Sequence, residues 1–332
     1  MPNATPIVHI GYPKTASTWF QKSFYPHVRS PRYVDRPRVN AAFLEGNALT
    51  FDPTEARSIL GLADGEAGIL CEEGLCGYLH NGGVSGSVSK DVAERIRQTL
   101  PDARIVVFVR AQPKILVAAY QQYVRAGGTH GVRRYLFPND YLLGPNAVAY
   151  KQPRFDIDFF AYSPLIEHYE RLFGRDKVHV FLFEDFQRGG TEFLRRYAGE
   201  LGLDVDWDAV SLAPQLPSYG LPLTWIARFL NLFSARSVMD KRHILHIPGW
   251  YPLRRLLLEA LNRTRLFGRP PSPERLFGRP LLAWLEAHYA EDNRRLAADR
   301  RGLALDRCGY PLDRLDAGER PRPAEWRRWL RW

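Results

Sequence analysis

The chain reads as an α/β protein, a central parallel sheet flanked by helices and continued by a mainly helical C-terminal part. Three observations predict this. Apolar runs of strand length alternate with helical stretches from residue 7 to about residue 202, the pattern of successive βα units. Residues 105–109 are apolar without interruption, as in a parallel strand covered on both faces. The first apolar run, 7–10, passes through a short turn directly into a helix start.

Taken in order, residues 7–10 are the first strand and 19–24 open the first helix. The next stretch is loop-rich around Pro26, Pro31 and Pro37, then carries helical signals at 41–45 and 54–62. Gly68–Cys71 reads as a second central strand, with Glu72, Glu73, Gly74 and Leu75 at its C-terminal end, the edge where open parallel sheets bind ligands. A glycine-rich loop covers 77–86, and an amphipathic helix over 90–100 is closed by Pro101. The strand at 105–109 ends on Arg110. Pro113 then starts a helix through Tyr120 and Tyr123 to about Val124, broken by Gly127 and Gly128.

Residues 126–155 form a long irregular excursion, of a length that in compact domains is usually functional. A helix over 162–173, a strand over 178–183 and a helix over 191–201 complete the alternation. Strands stop at about Leu203, and 225–232, 251–261 and 281–296 read as helices. The sequence RLFGRP occurs at 265–270 and again at 275–280, which reads as a local duplication in a surface linker. The expected organisation is one domain over 1–332, with an α/β core (1–202), a helical part (203–311) and a basic Trp/Arg-rich tail (312–332).

Composition narrows the classes. With 332 residues, 45% hydrophobic and 25% charged, the chain is of globular type. No apolar run nears the ~20 residues of a membrane span, and the N-terminus lacks a signal-peptide pattern. Cys71, Cys76 and Cys308 have no metal-ligand spacing and suit a reducing compartment, so a cytoplasmic protein without a metal is expected. The net charge of +10 comes without a nucleic-acid-binding signature, so no nucleic-acid partner is expected. The tail, with Trp326, Trp329 and Trp332 among arginines, is a candidate for peripheral membrane contact.

The chemistry concentrates in the turn after the first strand. Gly11 supplies unusual backbone angles, Pro13 stiffens the turn, Lys14 adds a compact cation, and Thr15, Ser17 and Thr18 add hydroxyl donors at a helix start. This is a holder for a phosphate-like group. A Walker A loop is excluded, because that motif needs a glycine immediately before its lysine and Pro13 stands there. A second anion contact is offered by Arg110, whose guanidinium can hold a phosphate in a fork.

The run Gly11-Tyr12-Pro13-Lys14-Thr15-Ala16-Ser17-Thr18-Trp19 resembles the 5′-phosphosulfate loop of the sulfotransferases that use 3′-phosphoadenosine 5′-phosphosulfate (PAPS), with Ala16 where glycine is common. The segment from Arg110 to Arg125 resembles their 3′-phosphate motif, with Ala118 at the usual serine. Lys114, four residues earlier on the same helix face, is the candidate to compensate. Phe183-Glu184-Asp185 resembles the segment that meets the adenine, with Phe183 in place of tyrosine. Cys71-Glu72-Glu73-Gly74-Leu75 resembles the S-S-E-x-L segment of the bacterial carbohydrate-type branch. Weaker likeness extends to Gly309-Tyr310-Pro311.

The resemblance implies a P-loop-NTPase-like sulfotransferase fold and PAPS as co-substrate. It implies cofactor contacts by Lys14, Thr15, Ala16, Ser17, Thr18, Trp19, Arg110, Lys114, Ala118 and Phe183. Transfer would go to an acceptor hydroxyl, on a carbohydrate, glycolipid or natural product, with Lys14 and Glu73 catalytic. Glu72 and His80 stand behind Glu73 as alternative bases. A P-loop-like nucleotide kinase, and a non-catalytic basic binder of nucleic acid or membrane, are the rival readings.

Overall fold

A computed structural model describes residues 5–63, 65–141, 151–212, 218–235, 241–264, 266–300, 302–313 and 318–321. Its centre is a five-stranded sheet of β1 (Ile7–Gly11), β3 (Arg32–Tyr33), β4 (Gly68–Cys71), β5 (Arg104–Val109) and β6 (Val178–Leu182). The spatial order is β3-β4-β1-β5-β6, and every pairing is parallel. The expected α/β class, a parallel sheet flanked by helices, is the architecture found. The chain leaves β1 for one edge, returns, and crosses to the other side. The crevice at the C-terminal ends of β4, β1 and β5 is therefore the topological switch point.

Alternation along each strand explains the uninterrupted apolar runs. Val8, Ile10, Leu70, Ile105, Val107 and Val109 enter one core, while Ile7, Ile69, Val106 and Phe108 enter the other. The first core is covered by α4 (Ser87–Thr99), α5 (Gln112–Arg125) and α7 (Ser163–Phe173). The second core is aromatic. Here α1 (Ser17–Trp19) runs into a π-helical turn, Phe20–Phe24, where a plain helix was expected. The wider turn sets Tyr25 five residues above Phe20, their rings 5.5 Å apart, with Phe108 and Tyr197 against them. Beneath them His9 is fully buried, its Nδ1 2.8 Å from the Tyr25 hydroxyl.

Several boundaries differ from expectation for local reasons. The stretch expected as loop holds β2 (Val28–Ser30) and β3, and α2 (Arg36–Phe43) starts earlier than read because Pro37 is harmless in a first helical turn. α3 (Pro53–Leu60) is capped by Asp52. α8 (Phe183–Leu201) begins directly after β6, since Gly190 at φ 46° joins a first segment to the helix read from Thr191. Past Leu203 one strand remains among the described residues, β7 (Asp204–Val205), antiparallel to β2.

The excursion after α5 contains α6 (Val132–Leu136), and its residues 142–150 lie outside the described residues. The helical part comprises α9 (Leu221–Leu230), α10 (Trp250–Arg263), α11 (Pro273–Phe277), α12 (Arg279–Asp299) and α13 (Leu305–Cys308). The second RLFGRP copy is no linker: it spans the α11–α12 junction and buries Phe277. The tail from residue 322 lies outside the described residues.

Two polar attachments bind the helical part to the core. Asn293 on α12 exchanges hydrogen bonds with Gln112 at 2.7 and 3.0 Å, and Asp292 accepts from the Tyr162 and Ser163 amides at the start of α7. On α10, Arg254 is completely buried, and its guanidinium donates to the carbonyls of Val124 and Arg125 at the end of α5, which Asn231 and Tyr251 also serve.

Candidate functional site

Four strand ends meet at one cleft of about 860 Å³. β1 delivers the Lys14 loop, β4 delivers Glu72 and Glu73, β5 delivers Arg110 and β6 delivers Phe183. In the loop, Gly11 has φ 92°, and a Cβ there would lie 3.1 Å from Glu73 Cα, so glycine lets the two loops close on each other. Lys14 and Ala16 both take left-handed backbone angles, φ 69° and 74°. Alternating left-handed residues turn successive N–H groups to one side, as in an anion-binding nest. The left-handed angle at Ala16 is strained for alanine and would suit glycine.

Of the residues expected on the nucleotide, Lys14, Ala16, Ser17, Thr18, Trp19, Arg110, Ala118 and Phe183 line this cleft, as does Glu73. Two do not. Thr15 is fully buried and its hydroxyl donates to the Tyr12 carbonyl, which holds the turn. Lys114 is off the cleft, its Nζ 3.3 Å from the Cys308 carbonyl, so the expected substitution for the missing serine is not formed. The two expected anion contacts lie side by side. Arg110 Nη1 donates to the Lys14 carbonyl at 3.0 Å, and the guanidinium lies 4.5 Å above the Phe183 ring. Arg110 Nε is buried with no hydrogen-bond partner.

Residues not singled out from sequence complete the lining. Arg36, Gln122, Arg125, Gln187 and Ser218 face the same cleft. Ala118, Gln122 and Arg125 follow helical spacing along α5, a signal present in the sequence once Ala118 is placed. Arg125 stands under the Arg254 cap, and α10 adds Tyr251, Arg255 and Glu259 to a smaller recess shared with Lys14.

The electrostatics suit an anion. Burial, together with the nearby Arg125 and Arg110, pulls Lys14 down to about 8, with Glu73 opposing. Arg110 is lowered by burial. The two acids after β4 differ in setting. Glu72 is buried, paired with Arg36 at 3.0 Å and accepting from the Gly74 amide at 2.9 Å, so it is spoken for as an architectural carboxylate. Glu73 is partly open to the cleft, with Gln21 Nε2 at 3.4 Å and Arg36 Nη2 at 3.5 Å. His80 is buried, its Nδ1 3.1 Å from the Tyr135 hydroxyl, and burial with the Lys14 charge lowers it to about 4. It lines a different recess, with Tyr123 and Tyr135. Cys71 and Cys76 are fully buried, and burial raises both thiols.

No family model matches the chain, and no curated protein matches it. Among solved structures it is similar to a sulfotransferase from Alicyclobacillus acidocaldarius, at 18% sequence identity and a TM-score of 0.44, covering 64% of this chain and 86% of that one. No helix among the described residues is long and apolar enough to cross a membrane.

Proposed function

We propose that the protein moves a sulfuryl group from PAPS to an acceptor hydroxyl. The observation that carries this reading is the meeting of the Lys14 loop and Arg110 on one cleft with a partly open carboxylate, Glu73, beside them. In this reading the amides of residues 14–18 and the Ser17 and Thr18 hydroxyls hold the 5′-phosphate end. Arg110, with its unpaired Nε, takes the 3′-phosphate, and Phe183 and Trp19 flank the adenine. Arg125 and Gln122 supply contacts on the α5 face where Ala118 offers none.

The transfer needs in-line positioning and charge stabilisation more than covalent chemistry. The acceptor oxygen bonds to sulfur, the bond from sulfur to the phosphate oxygen breaks, and 3′-phosphoadenosine 5′-phosphate (PAP) leaves. The Lys14 ammonium faces the negative charge that develops on the departing oxygen. The acceptor proton passes to Glu73, which is held in place by Gln21 and Arg36. The proposed acceptor is a hydroxyl on a sugar, a glycolipid or a natural product.

Calorimetry with PAP tests the donor site, and an acceptor screen with labelled PAPS, read by product mass, tests the transfer. PAP is expected to bind and to raise thermal stability more than ATP with magnesium does; the reverse order would favour a nucleotide kinase. Glu73→Gln is expected to lower turnover by about 10²-fold or more while PAP affinity changes little. Wild-type turnover in that variant at saturating acceptor would remove Glu73 from the mechanism.

A further inference from the structure

The helical part carries large apolar side chains on its outward as well as its inward faces. On α9, Trp225, Ile226 and Phe229 recur at helical spacing and point outward, Trp225 being 63% and Phe229 61% exposed. On the same helix the inward positions include Thr224, which is buried and bonded to Gln121. On α10, Leu253, Leu256 and Leu257 face outward, Leu256 at 67% exposure, while Arg254 and Leu258 are the buried residues. The segment between the two helices adds exposed Ile244 and Leu245. So many exposed large apolar side chains on two helices packed against each other and the segment joining them exceed what solvated helices carry.

The charge around this face says what it meets. From residue 221 to 270 the chain has nine lysines and arginines against two acids, Asp240 and Glu259. Glu259 is tied to Arg255 at 2.9 Å. Arg263 is exposed on α10 two turns after Leu256, on the same face, Arg228 lies 6.0 Å from the Trp225 ring, and Arg269 is also exposed. A second copy of the chain would bring the same cations against one another across a two-fold interface. The tail 326–332 carries three arginines of its own and meets the same repulsion. A leucine- and tryptophan-bearing face bordered by arginines instead matches an anionic lipid surface, where the apolar stripe enters the headgroup boundary and the guanidiniums meet phosphates.

We infer that the α9–α10 face docks on anionic membranes, lying on the bilayer without crossing it. The inference does not depend on sulfuryl transfer, since vesicle binding and PAP uptake are separate measurements and either can fail alone. The test is co-sedimentation of the full chain with vesicles of phosphatidylcholine alone or with about one-third phosphatidylglycerol, at low and high salt. Binding is expected only to the anionic vesicles, weakened by salt. Leu256→Glu is expected to weaken it by about tenfold or more, with circular dichroism and melting unchanged. Phe229→Glu serves as an independent variant should Leu256→Glu fold poorly.

Equal binding by the wild type and both variants would overturn the inference. So would loss of binding on removing residues 322–332 but not in either variant, which would assign the contact to the tail. A wild-type dimer that Leu256→Glu converts to a monomer, without vesicle binding, would make the face a protein interface and overturn it equally.

Discussion

At the scale of single residues the cleft is set by two backbone angles and one lysine. Ala16 adopts a left-handed angle that costs an L-residue roughly 1–2 kcal/mol, part of which glycine would return in unfolded-chain entropy. Ala16→Gly should therefore stabilise the protein by up to about 1 kcal/mol, measured by urea unfolding, while leaving the nest intact. Lys14, lowered to about 8 by burial and the neighbouring arginines, loses its charge just above neutrality. Affinity for PAP should be greatest near pH 7 and fall as pH rises through 8. Binding near pH 8 should draw in a fraction of a proton, because the ligand's charge restores the ammonium. Calorimetry at pH 8 in two buffers of different ionisation enthalpy measures that uptake, and Lys14→Met should abolish it.

At the scale of elements, the end of α5 depends on a residue from α10. Arg254 donates to the carbonyls of Val124 and Arg125 from a fully buried position, and Tyr251 adds its hydroxyl to Arg125 at 3.2 Å. Arg254→Met should cost about 1.5–3 kcal/mol, since the charge-assisted hydrogen bonds are lost while Asn231 still serves the Val124 carbonyl and Tyr251 the Arg125 carbonyl. Hydrogen exchange should show the last turn of α5 opening first. Much of the framework was legible from sequence because β1, β4 and β5 are buried on both faces and so declare themselves as unbroken apolar runs. The Lys14 loop was legible because its special residues are adjacent. Arg36 and Arg125 were not, since their place on the cleft depends on how α2 and α5 pack. The two-residue strands β2 and β7 carry too little pattern to be read alone. Lys114 was misplaced because sharing a helix face with Ala118 does not decide whether a neighbouring carbonyl captures it first.

At the scale of the whole molecule, two histidines are folded away uncharged. Burial lowers His9 to about 3, and burial with the Lys14 charge lowers His80 to about 4, against 6.5 for the free side chain. The unfolded chain therefore binds more protons than the folded one below pH 6.5. Stability is complete above that value and is lost as pH falls toward 4, with each histidine contributing a slope of up to about 1.4 kcal/mol per pH unit. His9→Phe, which keeps a ring against Phe108, should reduce the slope measured by urea unfolding between pH 6 and 4.5 by nearly one proton.

The attachment of α12 has a consequence for how the molecule comes into being. The strands of the sheet and most of the residues that line the cleft are synthesised before residue 203, yet the amides that open α7 wait for Asp292, and the buried amide of Gln112 waits for Asn293. A ribosome has made nearly nine-tenths of the chain before either is answered. Until then the nascent sheet carries raw helix ends, so a shortened version trimmed to the apparent core should not stay folded on its own.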